Sequence, residues 1–272
     1  SDGHILAGTR LGPYQSLLSG GISRFNSDGT VDSSFTLDAN ANASAFEVLP
    51  DGSLLTWSLS APNLLNGGLF FKRIGTNGAI DNSFTGLGSA AFGHVYRDAE
   101  SNITEIVLGQ FNIVGHYADG RALAVATTPN GPYAQGSTAL DVTLYRLNTD
   151  GTIDSTFTAP SLAWATTAGF TSFINDPVKG VSGQWNLRSV AGAPFSGAVP
   201  QADGGVIVYG AFHNLGGQPA PGMARLTNTG AVDPTFSVGA GAELRQAIYR
   251  FPLVQHVDVS ADGKIWVTGT FD

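Results

Sequence analysis

A twelve-residue motif occurs four times in this 272-residue chain, each time without a gap. Every copy has Arg at the first position, an apolar residue at the second, Gly at the sixth, an apolar residue at the eighth, Asp at the ninth and Phe at the twelfth. Such self-similarity restricts the chain to architectures that stack one supersecondary unit or arrange it in a ring. The copies are Arg24–Phe35, Arg73–Phe84, Arg146–Phe157 and Arg225–Phe236.

A second element precedes the motif and consists of a Gly turn followed by apolar residues. Both elements have the composition of β-hairpins, so two hairpins per repeat predict four strands, which we label a, b, c and d. The two turn glycines are 26 residues apart in three repeats: Gly3 to Gly29, Gly52 to Gly78 and Gly204 to Gly230. The first-hairpin turns are Asp2-Gly3, Asp51-Gly52, a degenerate Ser101-Asn102-Ile103, Asp203-Gly204 and Asp262-Gly263.

The register of the second hairpin follows from its own residues. If a three-residue loop ends at Gly29 in the left-handed conformation, Phe25 faces Val31 and Arg24 faces Asp32. A two-residue loop would set Phe25 against the charged Asp32 instead. The other copies repeat the apolar and Arg–Asp pairs, so we prefer the three-residue loop. The remaining pairs are Ile74 with Ile80, Arg73 with Asp81, Leu147 with Ile153, Arg146 with Asp154, Leu226 with Val232 and Arg225 with Asp233.

These features predict an all-β protein, a β-propeller built of four-stranded antiparallel blades of roughly 50 residues each. The chain would form a single domain over residues 1–272 with about 4.5 blades, because five first hairpins stand against four second hairpins. A β-sandwich would not require paired hairpins at a fixed spacing. The Phe that ends each motif should pack between adjacent blades. We also expect the sequence to be part of a longer chain, since it is out of frame with whole blades.

The combined pattern resembles the delta-60 repeat family of β-propellers. The resemblance rests on the motif R-[LFI]-[NGT]-x-[DNT]-G-x-[VI]-D-x-[ST]-F and on the Gly turn 21 residues before its Arg, as from Gly52 to Arg73. It covers nearly the whole chain, with departures at residues 98–102 and at Thr229, where Asp is usual. The resemblance implies a bacterial secreted, cell-surface or virion protein with no general enzymatic activity.

Residues in excess of the regular spacing form three predicted insertions, at about 113–141, 160–198 and 238–252. All should lie on the face opposite the Gly turns, because turns a–b and c–d share one end of an antiparallel blade. Long loops on a rigid scaffold often carry binding residues, so we expect a protein-binding or glycan-binding site there. The alternative is that their aromatic residues fold back as local cores. The candidate binding residues are His116, Tyr117, Asp119, Arg121, Trp164, Trp185, Arg188, Tyr249 and Arg250.

The composition argues against several kinds of chemistry. The chain has no Cys, which excludes disulfides and thiolate sites. Its five His residues lack zinc-site spacing and no calcium loop is complete, so we predict no metal and no cofactor. A net charge of −8 without a basic run argues against a nucleic-acid partner. No apolar run reaches the ~20 residues of a membrane helix, and no nucleophile elbow is present, so we predict neither membrane insertion nor a catalytic residue.

The sequence therefore predicts a non-enzymatic extracellular module of a surface, filament or virion protein. Its partners would be a protein or a glycan, including other copies of the same chain. One alternative is a carbohydrate-processing hydrolase with its site at the propeller channel, built from the Asp and Glu residues that the turns do not use. Another is a purely structural assembly subunit without a ligand.

Overall fold

The structure is a computed structural model. All regular structure in the residues that it describes is β, every paired strand is antiparallel, and none of these residues forms a helix that could cross a membrane. The all-β part of the predicted fold class is thereby confirmed. The described residues are 3–8, 21–41, 45–59, 69–87, 93–97, 103–108, 110–129, 139–165, 195–212, 214–239, 253–260 and 262–270.

The strands are short, as expected of hairpins bounded by glycine turns. They are β1 (Ile5–Gly8), β2 (Ile22–Phe25), β3 (Ala45–Val48), β4 (Leu54–Leu59), β5 (Leu69–Ile74), β6 (Gly93–Arg97), β7 (Ile103–Leu108), β8 (Gln110–His116), β9 (Ala122–Pro129), β10 (Ala139–Leu147), β11 (Leu162–Ala165), β12 (Phe195–Pro200), β13 (Val206–Gly210), β14 (Asn214–Leu215), β15 (Gln218–Pro219), β16 (Met223–Leu226), β17 (Leu253–Val259) and β18 (Ile265–Thr270).

Each repeat forms a small sheet of its own. Repeat 1 contributes strands b and c (β1, β2), repeat 2 strands a to c (β3, β4, β5), and repeat 3 all four strands (β8, β9, β10, β11). Repeat 4 contributes a to c (β12, β13, β16) and repeat 5 contributes a and b (β17, β18). Two further hairpins, β6–β7 and β14–β15, stand outside this pattern. Within the described residues one sheet has four strands and none closes on itself.

Strand d is reduced to a single bridge in repeats 1, 2 and 4, whereas in repeat 3 the bridge is followed by β11, and all four bridges have the predicted register. Phe25 pairs with Val31, and the three corresponding pairs recur in the other motif copies. The three-residue loop is confirmed, since the amide of Asn26 donates to Thr30 O and Gly29 has a φ of 84°. Strand d is interrupted because Asp starts a tight turn to the motif Phe, whose amide donates to the Asp carbonyl in all four copies.

The first hairpin of repeat 3 differs from the sequence interpretation. Its a–b turn is not at residues 101–103 but at 117–121, where the Tyr117 amide donates to Arg121 O and Gly120 has a φ of 85°. Residues 103–108 form β7, which pairs with β6. The turn glycines of repeat 3 are thus 31 residues apart, close to the 26 of the other repeats, whereas a turn at 101–103 requires 49 residues between Asn102 and Gly151. Residues 110–129 are therefore strands and a turn of repeat 3, not part of an insertion.

The core lies between consecutive repeats. Neighbouring residues of strand b point to opposite sides, so each b strand serves two clusters. In β4, Leu54 joins a cluster with Phe35 of repeat 1, whereas Leu55 joins one with Phe111 of repeat 3. In β13, Val206 packs toward Phe157 of repeat 3 and the next residue packs toward repeat 5. The motif Phe residues of repeats 1 to 3 are buried against the following repeat, which confirms their predicted role.

Candidate functional site

The motif Arg is the centre of a hydrogen-bonded cluster that joins two repeats. The Arg146 side chain donates from Nε to Asp154 Oδ2 at 2.7 Å, from Nη2 to Thr156 Oγ1 at 3.1 Å and from Nη1 to Asn228 O at 2.8 Å. Its guanidinium carbon lies 4.8 Å from the centre of the Phe157 ring. Asn228 belongs to the c–d turn of the next repeat, so this Arg fastens repeat 3 to repeat 4.

Repeat 1 has the same arrangement. Arg24 donates to Asp32 at 2.7 Å and to Ser34 Oγ at 3.1 Å, and it reaches Thr76 O in the next c–d turn at 2.6 Å. Its guanidinium lies 5.1 Å from the Phe35 ring centre. Thr76 and Asn228 occupy the same place, three residues after the following motif Arg. We call this set of contacts, from the Arg, Asp and Phe of one repeat to the c–d turn of the next, the repeat junction.

The other two motif Arg residues have different partners. Arg73 donates to Asp51 and to Ser53 Oγ in the a–b turn of its own repeat, in place of the expected pair with Asp81. Arg225 likewise donates to Asp203, and its Nε lies 3.7 Å from Asp233. The hydrogen bond between repeats 2 and 3 is shifted by one residue. Here the amide of Gly86, two residues after the motif Phe, donates to Asp150 O, whereas at the other two junctions the residue directly after the Phe donates. Arg24 and Arg146 thus bind the motif Asp, whereas Arg73 and Arg225 bind the Asp of the a–b turn.

The turn glycine makes the close approach at the junction possible. A Cβ at Gly230 would lie 2.6 Å from the backbone carbon of Thr158 in the preceding repeat, and the residue has a φ of +89°. A Cβ at Gly78 would overlap the carbonyl oxygen of Thr36, and one at Gly151 the ring of Phe84. At Gly29 the same Cβ would meet nothing within 4 Å. Of the four motif c–d turns in the described residues, three are thus packed against the preceding repeat and the one at Gly29 is open.

The motif Asp is stabilised in its charged form. Asp32 Oδ1 accepts hydrogen bonds from the hydroxyl and the amide of Ser34, which, with Arg24, lower the pKa of Asp32 from its usual 3.8 to about 2. The equivalent hydrogen bonds donated by Thr235 lower the pKa of Asp233, and those donated by Ser83 lower the pKa of Asp81. In the folded chain these motif carboxylates therefore stay charged down to a lower pH than they would in the unfolded chain.

This shift gives a pH prediction for Asp32. Because its folded pKa lies below its unfolded pKa, the carboxylate contributes stability that is complete above about pH 4 and is lost as the pH falls towards 2. We expect Asp32→Asn to flatten the fall of Tm with pH across this window, relative to the unchanged chain. Tm measured from pH 7 to pH 2 tests this, and parallel curves for the two proteins would contradict it.

Four sequence-predicted binding residues lie at the a–b turn of repeat 3, on the same face as the other glycine turns. Tyr117 is 5% exposed and donates from its hydroxyl to Gly204 O at 3.2 Å, and burial raises its pKa. Arg121 covers the Tyr117 ring at 4.8 Å and donates to Asp119 at 2.8 Å. Their placement follows from the turn being at 117–121. Tyr117 and Arg121 therefore cap the junction between repeats 3 and 4.

His116 forms a contact that the sequence did not indicate. Its Nδ1 lies 3.0 Å from Glu47 Oε1, so the a strands of repeats 2 and 3 are joined by this pair. Both side chains are about one-third exposed, at 30% and 36%. The two residues are 69 positions apart, and only the packing of the repeats brings them together.

The remaining predicted binding residues belong to the opposite end of the molecule or lie outside the described residues. Trp164 is in β11, whose partner residues Ala139–Val142 form the end of β10 far from its glycine turn. It is therefore separated from His116, Tyr117, Asp119 and Arg121, so the five candidates within the described residues do not form one site. No group of three or more metal-ligating side chains occurs in the part of the chain that the structure describes. Trp185, Arg188, Tyr249 and Arg250 lie outside the described residues.

Comparison with known proteins supports the propeller class. Residues 1–35, 131–157 and 201–236 match the model of a family described as a domain of unknown function (DUF5122) beta-propeller, and these segments contain three of the four motif copies. No curated protein matches. A solved structure described as endo-arabinase from Bacteroides thetaiotaomicron VPI-5482 is similar, with 12% identity, coverage of 97% of this chain and 84% of that chain, and a TM-score of 0.33. A likeness at this level establishes no shared activity.

Proposed function

We propose that this chain is a non-enzymatic structural and interaction module of the β-propeller class, and that it belongs to the delta-60 repeat family that its motif resembles. One observation carries the proposal: the polar groups of the motif have protein partners, across to the next repeat at Arg24 and Arg146 and within the repeat at Arg73 and Arg225. All three nitrogens of the Arg146 guanidinium and both oxygens of Asp154 have protein partners at the junction. The most regular polar residues in the sequence thus have a structural use.

The charge of the chain supports the same proposal. Only 34 of its 272 residues are Lys, Arg, Asp or Glu, and many of them recur at turn and junction positions. A recurrent Arg that is matched by an Asp has little charge left for an external anion. A rigid array of this kind is suited to presenting loops, because the loops can vary while the repeats keep their contacts.

We place the interaction site on the loops opposite the glycine turns. The residues proposed for it are Trp164, Trp185, Arg188, Tyr249 and Arg250, of the types that dominate binding energies when they are buried at an interface. The proposed partner is a protein or glycan outside the cell, at a cell surface, filament or virion. A net charge of −8 fits neither a nucleic-acid partner nor an anionic membrane.

A glycan array tests the proposal. We expect the chain to bind a subset of glycans, and the variants Trp185→Ala with Arg188→Ala and Tyr249→Ala with Arg250→Ala to lose at least about tenfold in affinity, as expected when an aromatic or Arg anchor is removed. The matched control is Arg121→Ala, a cation on the turn face whose side chain is 28% exposed, and this variant should bind as the unchanged chain does. Weaker binding only in the control would contradict the assignment of the face, and release of reducing sugar from any bound glycan would contradict a non-enzymatic role.

A further inference from the structure

The c–d turn of repeat 2 contains the dipeptide Asn77-Gly78 and differs there from the other motif copies. The residue before the turn glycine is Asp in repeats 1 and 3 and Thr in repeat 4. An Asn followed by Gly loses its side-chain amide readily, because glycine has no side chain to hinder attack by its own backbone nitrogen. Asn77 is exposed to water, whereas Gly78 is buried at the junction. Among the residues that the structure describes, no other Asn is followed by Gly.

Repeat 1 holds three successive carbonyl groups of this turn. The donors and acceptors are Arg24 Nη1 to Thr76 O at 2.6 Å, Thr36 N to Asn77 O at 3.0 Å and Asp38 N to Gly78 O at 2.9 Å. The first two of these carbonyls belong to the peptide units on either side of Asn77. A buried peptide unit gives up such a hydrogen bond only at a cost in free energy, so neither unit rotates while the junction is closed.

Two hydrogen bonds inside the turn engage the groups that would react. Asn77 Oδ1 accepts from the Ala79 amide at 3.0 Å, and the Gly78 amide donates to Gly75 O at 2.9 Å. The Gly78 nitrogen must give up its proton and approach Asn77 Cγ before a bond between them can form, so both hydrogen bonds have to break. Because the turn is also held by repeat 1, this rearrangement requires the junction between repeats 1 and 2 to open.

We propose that Asn77 is a site of spontaneous deamidation, and that opening of the junction between repeats 1 and 2 sets its rate. In the open junction, water or hydroxide takes the amide proton of Gly78, and the Gly78 nitrogen attacks Asn77 Cγ. The new N–Cγ bond closes a five-membered imide, the Cγ–Nδ2 bond breaks and ammonia leaves. Water then opens the imide at either of its carbonyl groups, which gives aspartate or isoaspartate without any oxidation or reduction.

The two products affect the junction differently. Aspartate is the residue that repeats 1 and 3 have at this place, as Asp28 and Asp150, so the turn accommodates it. Isoaspartate adds a methylene group to the main chain, and the turn has no room for it, since even a Cβ at Gly78 would overlap the Thr36 carbonyl oxygen. Chains with isoaspartate at position 77 therefore keep this junction open. The inference goes beyond the proposed function, because it concerns a covalent change at a junction and not binding by the loops.

Peptide mass spectrometry of the folded chain, sampled over time in mildly alkaline buffer, tests the proposal. We expect Asn77 to deamidate at least about tenfold faster in Arg24→Ala than in the unchanged chain, because this variant has lost one of the contacts that hold the turn. Arg146→Ala is the matched control, since it acts on the junction between repeats 3 and 4, and it should leave the Asn77 rate unchanged. Asn66 and Asn130, which are followed by Gly but lie outside the described residues, are internal references whose rates Arg24→Ala should not alter.

Asp38→Pro is a second variant that the fold should tolerate, because repeat 3 has Pro160 at this place. It removes the amide that donates to Gly78 O, so Asn77 should again deamidate faster. Three outcomes would overturn the proposal: equal Asn77 rates in the folded chain and in urea, no increase in either variant, or an equal increase at the two reference Asn residues, which would indicate general unfolding. None of them bears on the glycan array, so the failure of either proposal can be told from the failure of the other.

Discussion

Replacing Arg146 by alanine is expected to lower the free energy of unfolding by about 3 kcal/mol, which corresponds to a fall in Tm of about 9 °C for a chain of this size. Arg146 is 4% exposed, and its removal leaves the Asp154 carboxylate, itself 9% exposed, without its cation. The change also removes the hydrogen bond to Asn228 O and the contact with the Phe157 ring. Thermal unfolding followed by circular dichroism provides the measurement.

Arg225→Ala is the matched control, because Arg225 has the same place in the motif but is 34% exposed. An exposed ion pair contributes little to stability, so its loss should produce a much smaller fall in Tm. Equal falls for the two variants would contradict the account, since they would mean that the contact across the junction adds nothing to the hairpin contact.

Replacing Gly230 by alanine is expected to cost about 3 kcal/mol, whereas Gly29→Ala should cost about 1 kcal/mol. Both residues have a left-handed backbone, with φ values of +89° and +84°, so the conformational penalty is shared. Only at Gly230 does the new methyl group also collide with backbone, 2.6 Å from the carbon of Thr158. Urea unfolding of the two variants separates the contributions of conformation and overlap.

One result would contradict the expected difference between the Gly29 and Gly230 variants. If Gly29→Ala destabilises the chain as much as Gly230→Ala does, the cost lies in the backbone conformation, and the close approach between repeats has no energetic role.

Local features of the fold could be predicted from the sequence because their causes are local. The pairing of Phe25 with Val31 follows from the chemistry of seven consecutive residues, and the burial of Phe157 follows from its apolar character and its recurrence. The reach of Arg146 to Asn228 could not be predicted, because it depends on where the next repeat lies. The contact between Glu47 and His116 has the same origin, since nothing near either residue indicates the other.

The a–b turn of repeat 3, in contrast, could have been predicted from the sequence. Asp119-Gly120 has the composition of the other first-hairpin turns, and Gly120 is 31 residues from Gly151, closer to the regular 26 than the 49 residues that separate Asn102 from Gly151. The residues that follow the turn would have corrected the assignment to residues 101–103, since the strand after Gly120 alternates small and branched apolar residues for two cores. The composition of this turn and its distance from the motif therefore both favour Asp119-Gly120.

Amide hydrogen exchange in Arg146→Ala tests most directly the claim that Arg146 fastens repeat 3 to repeat 4. The Thr158 amide donates across the junction to Thr229 O, whereas the Asp154 amide donates to Arg146 O within the hairpin. The account predicts that the variant loses protection at Thr158 by at least about tenfold more than at Asp154, since the junction opens while the hairpin stays closed. Equal loss at both amides, or loss at Asp154 alone, would contradict it.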